Sequence, residues 1–221
     1  MKKRTIGILG ASANPLHVGH LHVALAALGQ LPSLDEVWFM VTPHNPLKDR
    51  AGYAPVEHRL HMAHLTARES GELGHRLKVS DFEVQLQRFG VENATAVMLE
   101  HFRDSYPSLQ PVWLMGADNL AQIHQWGDRW REIMEEYPVG VFSRPGANLA
   151  FEHAPAAQQY GKAFVASQAF SCVPGTWTML DTLTHPASAT EIRQQLASGE
   201  QPEYISDEVV AYIKQYKLLG V

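Results

Sequence analysis

The 221 residues contain a single cysteine, Cys172. No intrachain disulfide can form, which fits a reducing compartment. No apolar run is long enough to span a bilayer, and the basic start MKKR leads into an apolar stretch too short for a signal peptide. The expectation is a cytoplasmic protein with no membrane partner. Positive charge is also scarce: 18 Lys and Arg face 23 Asp and Glu, a net charge of -5. A broad nucleic-acid surface needs the opposite balance, so no nucleic-acid partner is expected. A small local pocket for phosphates is still allowed. Two common phosphate fingerprints are missing, since neither G-x-x-x-x-G-K-[ST] nor G-x-G-x-x-G fits the first glycine loop. There is no internal repeat, low-complexity tract or convincing linker. Residues 1–221 therefore read as one domain, with C-terminal helices (about 187–219) packed on it.

What is present is an alternation of apolar strands and helices. TIGIL (Thr5–Leu9) and EVWFMVT (Glu36–Thr42) read as buried strands, with LHVALAAL (Leu21–Leu28) between them as a buried helix capped by Gly29. That spacing is a βαβ unit, which implies a parallel sheet. The pattern continues with helices at 54–70, 94–107 and 129–138, and with strands at 77–84, 111–116, 139–146 and 175–183. Residues 147–171 read as a looser connection, and 188–200 and 206–219 as closing helices. The fold class predicted is α/β, a doubly wound, mostly parallel sheet of about five or six strands with helices on both faces. His58, His61 and His64 recur at three-residue intervals on one helix and read as a polar helix face rather than a metal stripe.

In such a sheet, ligands sit beyond the carboxyl ends of the strands. The stretch ILGASANPLHVGH (Ile8–His20) lies there, after the first strand. Gly10, Ala11, Ser12 and Ala13 are small enough for an anion to approach the backbone, and the following helix offers unpaired N–H groups. His17 and His20 share a helix face and can donate to phosphate oxygens. The plainer reading is that one histidine caps the helix and the other packs against it. A zinc site at His17, His20 and His22 lacks H-E-x-x-H and an evident carboxylate.

The whole stretch resembles the signature of the nucleotidyltransferase superfamily with the H-x-G-H motif, and within it the bacterial nicotinate-nucleotide adenylyltransferases. PHNPLK (Pro43–Lys48), Arg59, MGADNLAQIHQW (Met115–Trp126), SRPG (Ser143–Gly146) and SATEIR (Ser188–Arg193) follow in the family's order. The resemblance implies an enzyme that joins ATP to nicotinate mononucleotide, giving deamido-NAD and pyrophosphate, with Mg2+ accompanying the ATP. It implies catalytic roles for His17, His20, Lys48 and Arg193. Gly10, Ser12, Gly116, Asp118, Ser188 and Thr190 are the implied ATP-binding residues, Asp118 accepting from ribose hydroxyls. Thr95 and Trp126 are the implied substrate-binding residues, Trp126 by stacking on the pyridine. No protein-held metal site is implied, and assembly into a homo-oligomer is left open.

Plainer roles stand beside these. Ser188-x-x-Glu191 fits a capping box, Asp118 or Asn119 fits a helix cap, and Trp126 and Trp130 fit the core. Arg59 is expected to reach a phosphate or a neighbouring carboxylate. The chain departs from the family's G-G-[ST]-F-[DN]-P by carrying Ala11 and Ala13. It also departs from S-Y-T-x-D-T-L, with Asn93–Leu99 keeping only Thr95. These departures keep two rivals in view: a nucleotidyltransferase for another mononucleotide or phosphorylated acceptor, and a non-catalytic nucleotide-binding relative.

Overall fold

The computed structural model describes residues 3–43, 52–92, 94–143, 153–182 and 185–221. In chain order the elements are β1 (Arg4–Ala11), α1 (Val18–Gln30), β2 (Glu36–Val41), α2 (Val56–Arg68), β3 (Leu77–Ser80), α3 (Phe82–Arg88), α4 (Thr95–Ser105) and β4 (Leu109–Gly116). There follow α5 (Ala117–Gln122), α6 (Trp130–Glu136), β5 (Val139–Phe142), α7 (Pro155–Gln159), β6 (Trp177–Leu180), α8 (Ala189–Ala197) and α9 (Asp207–Gln215). All six strands are parallel, in the order β3-β2-β1-β4-β5-β6. The strand order reverses between β1 and β4. Connections there leave toward opposite faces and open a crevice at the carboxyl ends.

Both faces of the sheet are covered, so the strands read as nearly continuous apolar runs. Alternate side chains go to opposite cores, as a period of two requires. Ile8, Trp113, Met115, Val139 and Val141 meet α4, α5 and α6 on one face. Leu9, Ala11, Val112, Leu114 and Phe39 meet α1 and α2 on the other. The sheet is tight where Leu114 lies: a Cβ on Gly7 or on Gly140 would come within 2.8 Å of its methyl groups. A third cluster joins the C-terminal helices to α2 through Met62, Leu65, Ile192, Leu196, Val209 and Ile213.

Several local expectations change. Gly29 is not a cap, because α1 runs on through Gln30 and its terminal N–H bond comes from Leu31 to the Ala27 carbonyl. The predicted strand at 77–84 stops at Ser80, and Phe82–Glu83–Val84 open α3 instead. The alternation F-E-V-Q-L fits a short helix equally well when one side is buried, as Glu83 and Val84 are. The histidine stripe on α2 is not simply a solvated face. His58 Nδ1 lies 2.8 Å from the Tyr212 hydroxyl, and the His61 ring stacks on Tyr212 at 4.3 Å. Those two histidines belong to the seam between α2 and α9.

Candidate active site

The crevice at the strand reversal is a cleft of about 550 Å³. The turn after β1 enters it first. Ala11 is still in the strand, paired with Val41 and buried, so it needs none of a glycine's freedom. Ala13 does hold a left-handed backbone, φ 50°, with its side chain fully buried. That conformation costs a non-glycine residue roughly 1–2 kcal/mol and persists because its surroundings fix it. Asn14 is one such fixture. Its side chain, 2% exposed, donates to the Gly52 carbonyl and accepts from Ala54 N–H, at 3.0 Å each.

The H-x-G-H stretch then caps α1 in both directions. His17 Nδ1 accepts from Gly19 N–H at 3.2 Å, and His20 Nδ1 accepts from His17 N–H at 3.4 Å. This is a capping box built from imidazoles instead of a hydroxyl and a carboxylate. An imidazole that accepts at Nδ1 is neutral and carries its proton on Nε2. The cap therefore sets the tautomer of both rings, and both rings line the cleft. Their centroids are 4.0 Å apart, and His17 is only 7% exposed. Gly19 is needed for contact rather than for φ. A Cβ there would lie 3.0 Å from His17 ring atoms and 3.3 Å from the Ala187 methyl.

The adjoining wall comes from the start of α8. Ser188, Thr190 and Arg193 line the cleft. Arg193 Nη1 donates to the Asn14 carbonyl at 2.9 Å and Nη2 to the Thr190 hydroxyl at 3.2 Å, tying α8 to the β1 turn. The expected capping box is absent: Ser188 sits at the N-cap but makes no side-chain capping bond. The end of β4 supplies Gly116 and, one turn into α5, Asn119.

The cytidylyltransferase-like family model matches residues 8–195. A probable nicotinate-nucleotide adenylyltransferase from Cereibacter sphaeroides is 43% identical, over 85% of this chain and 96% of its own length. The chain belongs to this family of nucleotidyltransferases. A relative of the same name from Rhizobium meliloti is 40% identical over 85% of this chain and 96% of its own. A solved Plasmodium falciparum nicotinic acid mononucleotide adenylyltransferase, complexed with NaAD, superposes with a TM-score of 0.71. The superposition covers 98% of this chain and 97% of that one, at 16% identity, so it speaks for the fold alone.

Of the residues predicted for the site, Gly10, Ser12, His17, His20, Gly116, Ser188, Thr190 and Arg193 line this one cleft. Asp118, Thr95 and Trp126 do not. Asp118 stands in the first turn of α5, whose N-cap is Gly116 without a side-chain bond, so neither Asp118 nor Asn119 is a cap. Thr95 is the first residue of α4. Trp126 is partly buried against the core, and Trp130 is fully in it. Lys48, Asn93 and most of SRPG lie outside the described residues. Lining residues that the sequence did not single out include Tyr53, Trp113, Phe142 and His185. Nothing in their local sequence marks them, because the sheet and loop packing alone bring them here. Trp113 has one trace, a contact at 3.1 Å from where a Gly10 Cβ would stand. His22 also faces the cleft, but among the described residues no three His, Cys, Asp or Glu side chains converge as a metal site.

Proposed function

We propose that the protein transfers the adenylyl group of ATP to nicotinate mononucleotide, giving deamido-NAD and pyrophosphate. The observation that carries this is the convergence of His17, His20 and Arg193 on one cleft at the strand reversal. The phosphate of the mononucleotide attacks the α-phosphorus of ATP, the bond to the bridging oxygen breaks, and pyrophosphate departs. A phosphate monoester is already an anionic nucleophile at neutral pH, so no general base is required. What the protein supplies is position and charge stabilisation.

The two imidazoles offer Nε2–H donors to phosphate oxygens, held in that tautomer by their own backbone cap. Arg193 adds a fixed positive charge with planar geometry. Gly10 and Ser12 let the chain approach the phosphates closely, and Gly116, Ser188 and Thr190 complete the ATP side. Lys48, Asp118, Thr95 and Trp126 enter this proposal from the family resemblance alone. Magnesium is proposed to arrive with ATP, neutralising charge on phosphate oxygens. The described lining of the cleft includes no carboxylate, so the ion would be held by the ATP phosphates and water rather than by the protein.

Pyrophosphate release from ATP with a panel of mononucleotides tests the proposal. Nicotinate mononucleotide is expected to support turnover and to exceed the nicotinamide form by roughly tenfold to a hundredfold in kcat/KM, the worth of one charge-assisted hydrogen-bond set. A clear preference for the amide would mean that Asn93–Leu99 is rebuilt for another substrate. Release with neither would favour another acceptor or a binding protein.

A further inference from the structure

Arg59, in the first turns of α2, is among the most enclosed side chains of the molecule, 2% exposed. Among the described residues no carboxylate lies within ion-pair distance of it. It spends its donors on four main-chain carbonyls instead. Nε–H donates to Ala54 at 3.0 Å, Nη1 to Ser12 at 2.6 Å and to Thr42 at 2.8 Å, and Nη2 to Pro43 at 2.7 Å. Burying a guanidinium against neutral acceptors is costly unless the geometry is fully used. Burial pulls its pKa down, countered in part by Tyr53 and Glu57, and the group stays charged.

The four carbonyls come from three separate places. Ser12 belongs to the turn after β1 that lines the cleft. Thr42 and Pro43 are the last described residues of the chain leaving β2, and Ala54 lies just before α2. Asn14 joins the same β1 turn to Gly52 and Ala54 from the other side. Tyr53, whose ring centre is 5.4 Å from the guanidinium carbon, itself lines the cleft. Of the partners expected from the sequence, no carboxylate among the described residues pairs with Arg59; main-chain carbonyls take that place.

We propose that Arg59 is a positioning residue for the adenylyl-transfer reaction: its planar fork anchors the β1 turn to the end of β2 and to the segment before α2, so that Ser12 and Tyr53 meet ATP as one preformed surface. The proposal rests on the cleft being the ATP site. An ammonium has three donors on one nitrogen and cannot reproduce a planar fork that holds four carbonyls from three nitrogens. Arg59→Lys therefore keeps the charge and removes the lock.

Steady-state kinetics of Arg59→Lys beside the unaltered protein give the test, at a temperature where circular dichroism shows both folded. The expected result is a fall in kcat of about tenfold or more with a raised KM for ATP, since small misplacements at a reacting centre have effects of that order. KM for the mononucleotide should stay within about twofold. A variant with a lowered melting temperature but unchanged kcat and KM for ATP would make Arg59 a structural brace only and overturn the proposal. If the unaltered protein releases no pyrophosphate, the ATP-site reading fails instead. Should the variant not fold, the readout is hydrogen exchange of the Arg59 Nη protons, which bond Ser12, Thr42 and Pro43, in the unaltered protein, followed by NMR. Saturating ATP should slow it several-fold, because a ligand that needs the locked turn suppresses its opening. An unchanged exchange rate overturns the proposal.

Discussion

Two helix starts meet side by side at the cleft, and they are finished in opposite ways. The start of α1 is closed by side chains, with His17 and His20 each accepting a backbone N–H. The start of α8 has Ser188 at its N-cap and no side-chain bond there. Sequence patterns assign the box to Ser188-x-x-Glu191, and the structure builds it at His17 and His20. A capping serine accepts and donates through one oxygen, whereas a capping imidazole accepts at one nitrogen and carries its proton on another, on the far side of the ring. On the α1 side, one residue can finish the helix and meet a ligand. On the α8 side, the helix is left open beside Arg193, so its first N–H groups keep their pull on an anion.

The most severe way to break this arrangement is His20→Ala. It removes a phosphate donor and the acceptor for His17 N–H together. Turnover should fall by about a hundredfold or more, while the lost cap costs only about 1 kcal/mol of stability. Pyrophosphate release and urea unfolding of one preparation report both numbers. Retained turnover would leave the His20 ring as a cap alone.

Gly19→Ala separates capping from chemistry more finely. Alanine favours the helix by about 0.5–1 kcal/mol over glycine. Its methyl must nevertheless push on the His17 ring and on Ala187. The expectation is unchanged or raised stability with activity reduced by about tenfold, read by the same two assays. Full activity would show that the ring has room to move.

A third helix start, that of α3, offers a contrast in charge. Glu83 in its first turn is 8% exposed, and burial pushes its carboxyl up to about 8. Its folded pKa lies above the unfolded one, so the unfolded chain releases this proton first as pH rises. Glu83 should therefore lower stability progressively from about pH 4.5 to pH 8. Glu83→Gln is expected to raise the melting temperature more at pH 8 than at pH 5. An equal shift at both pH values would refute the assignment.

The smallest effects come from a matched pair of serines. Ser206 caps α9, accepting from Val209 N–H at 3.3 Å. Ser206→Ala should cost about 1 kcal/mol and Ser188→Ala less than half of that. Equal losses in urea unfolding would mean that Ser188 closes α8 after all.

These contrasts show what was legible in the chain and what was not. The alternation of buried strands and helices follows from local apolar runs, so the doubly wound sheet could be read from them. So could the location of the first loop, because ligands collect where such strands end. The direction of a cap could not, since Ser188 and His17 both sit at plausible N-caps and their bonding depends on neighbours far along the chain. Arg59 was illegible for the same reason. Its four partners are carbonyls, which every residue possesses, so no side-chain pattern announces them. The strand at 77–84 failed at Asp81 because F-E-V carries too few residues to distinguish a period of two from one of 3.6.

Leu114 shows how far into the sheet the cleft is specified. It fills a notch made by Gly7 on β1 and Gly140 on β5, and works like a key in a slot. A two-residue slip of β4 would offer the notch either the shorter Val112 or Gly116, and the key would no longer fill it. The same slip would break the pairing of Leu9 with Leu114, shift Gly116 along the mouth of the cleft and withdraw Trp113 from the wall. An error of alignment in the middle of the sheet is thus an error of the binding cleft, and a chain that folds with the wrong β4 register is inactive by construction.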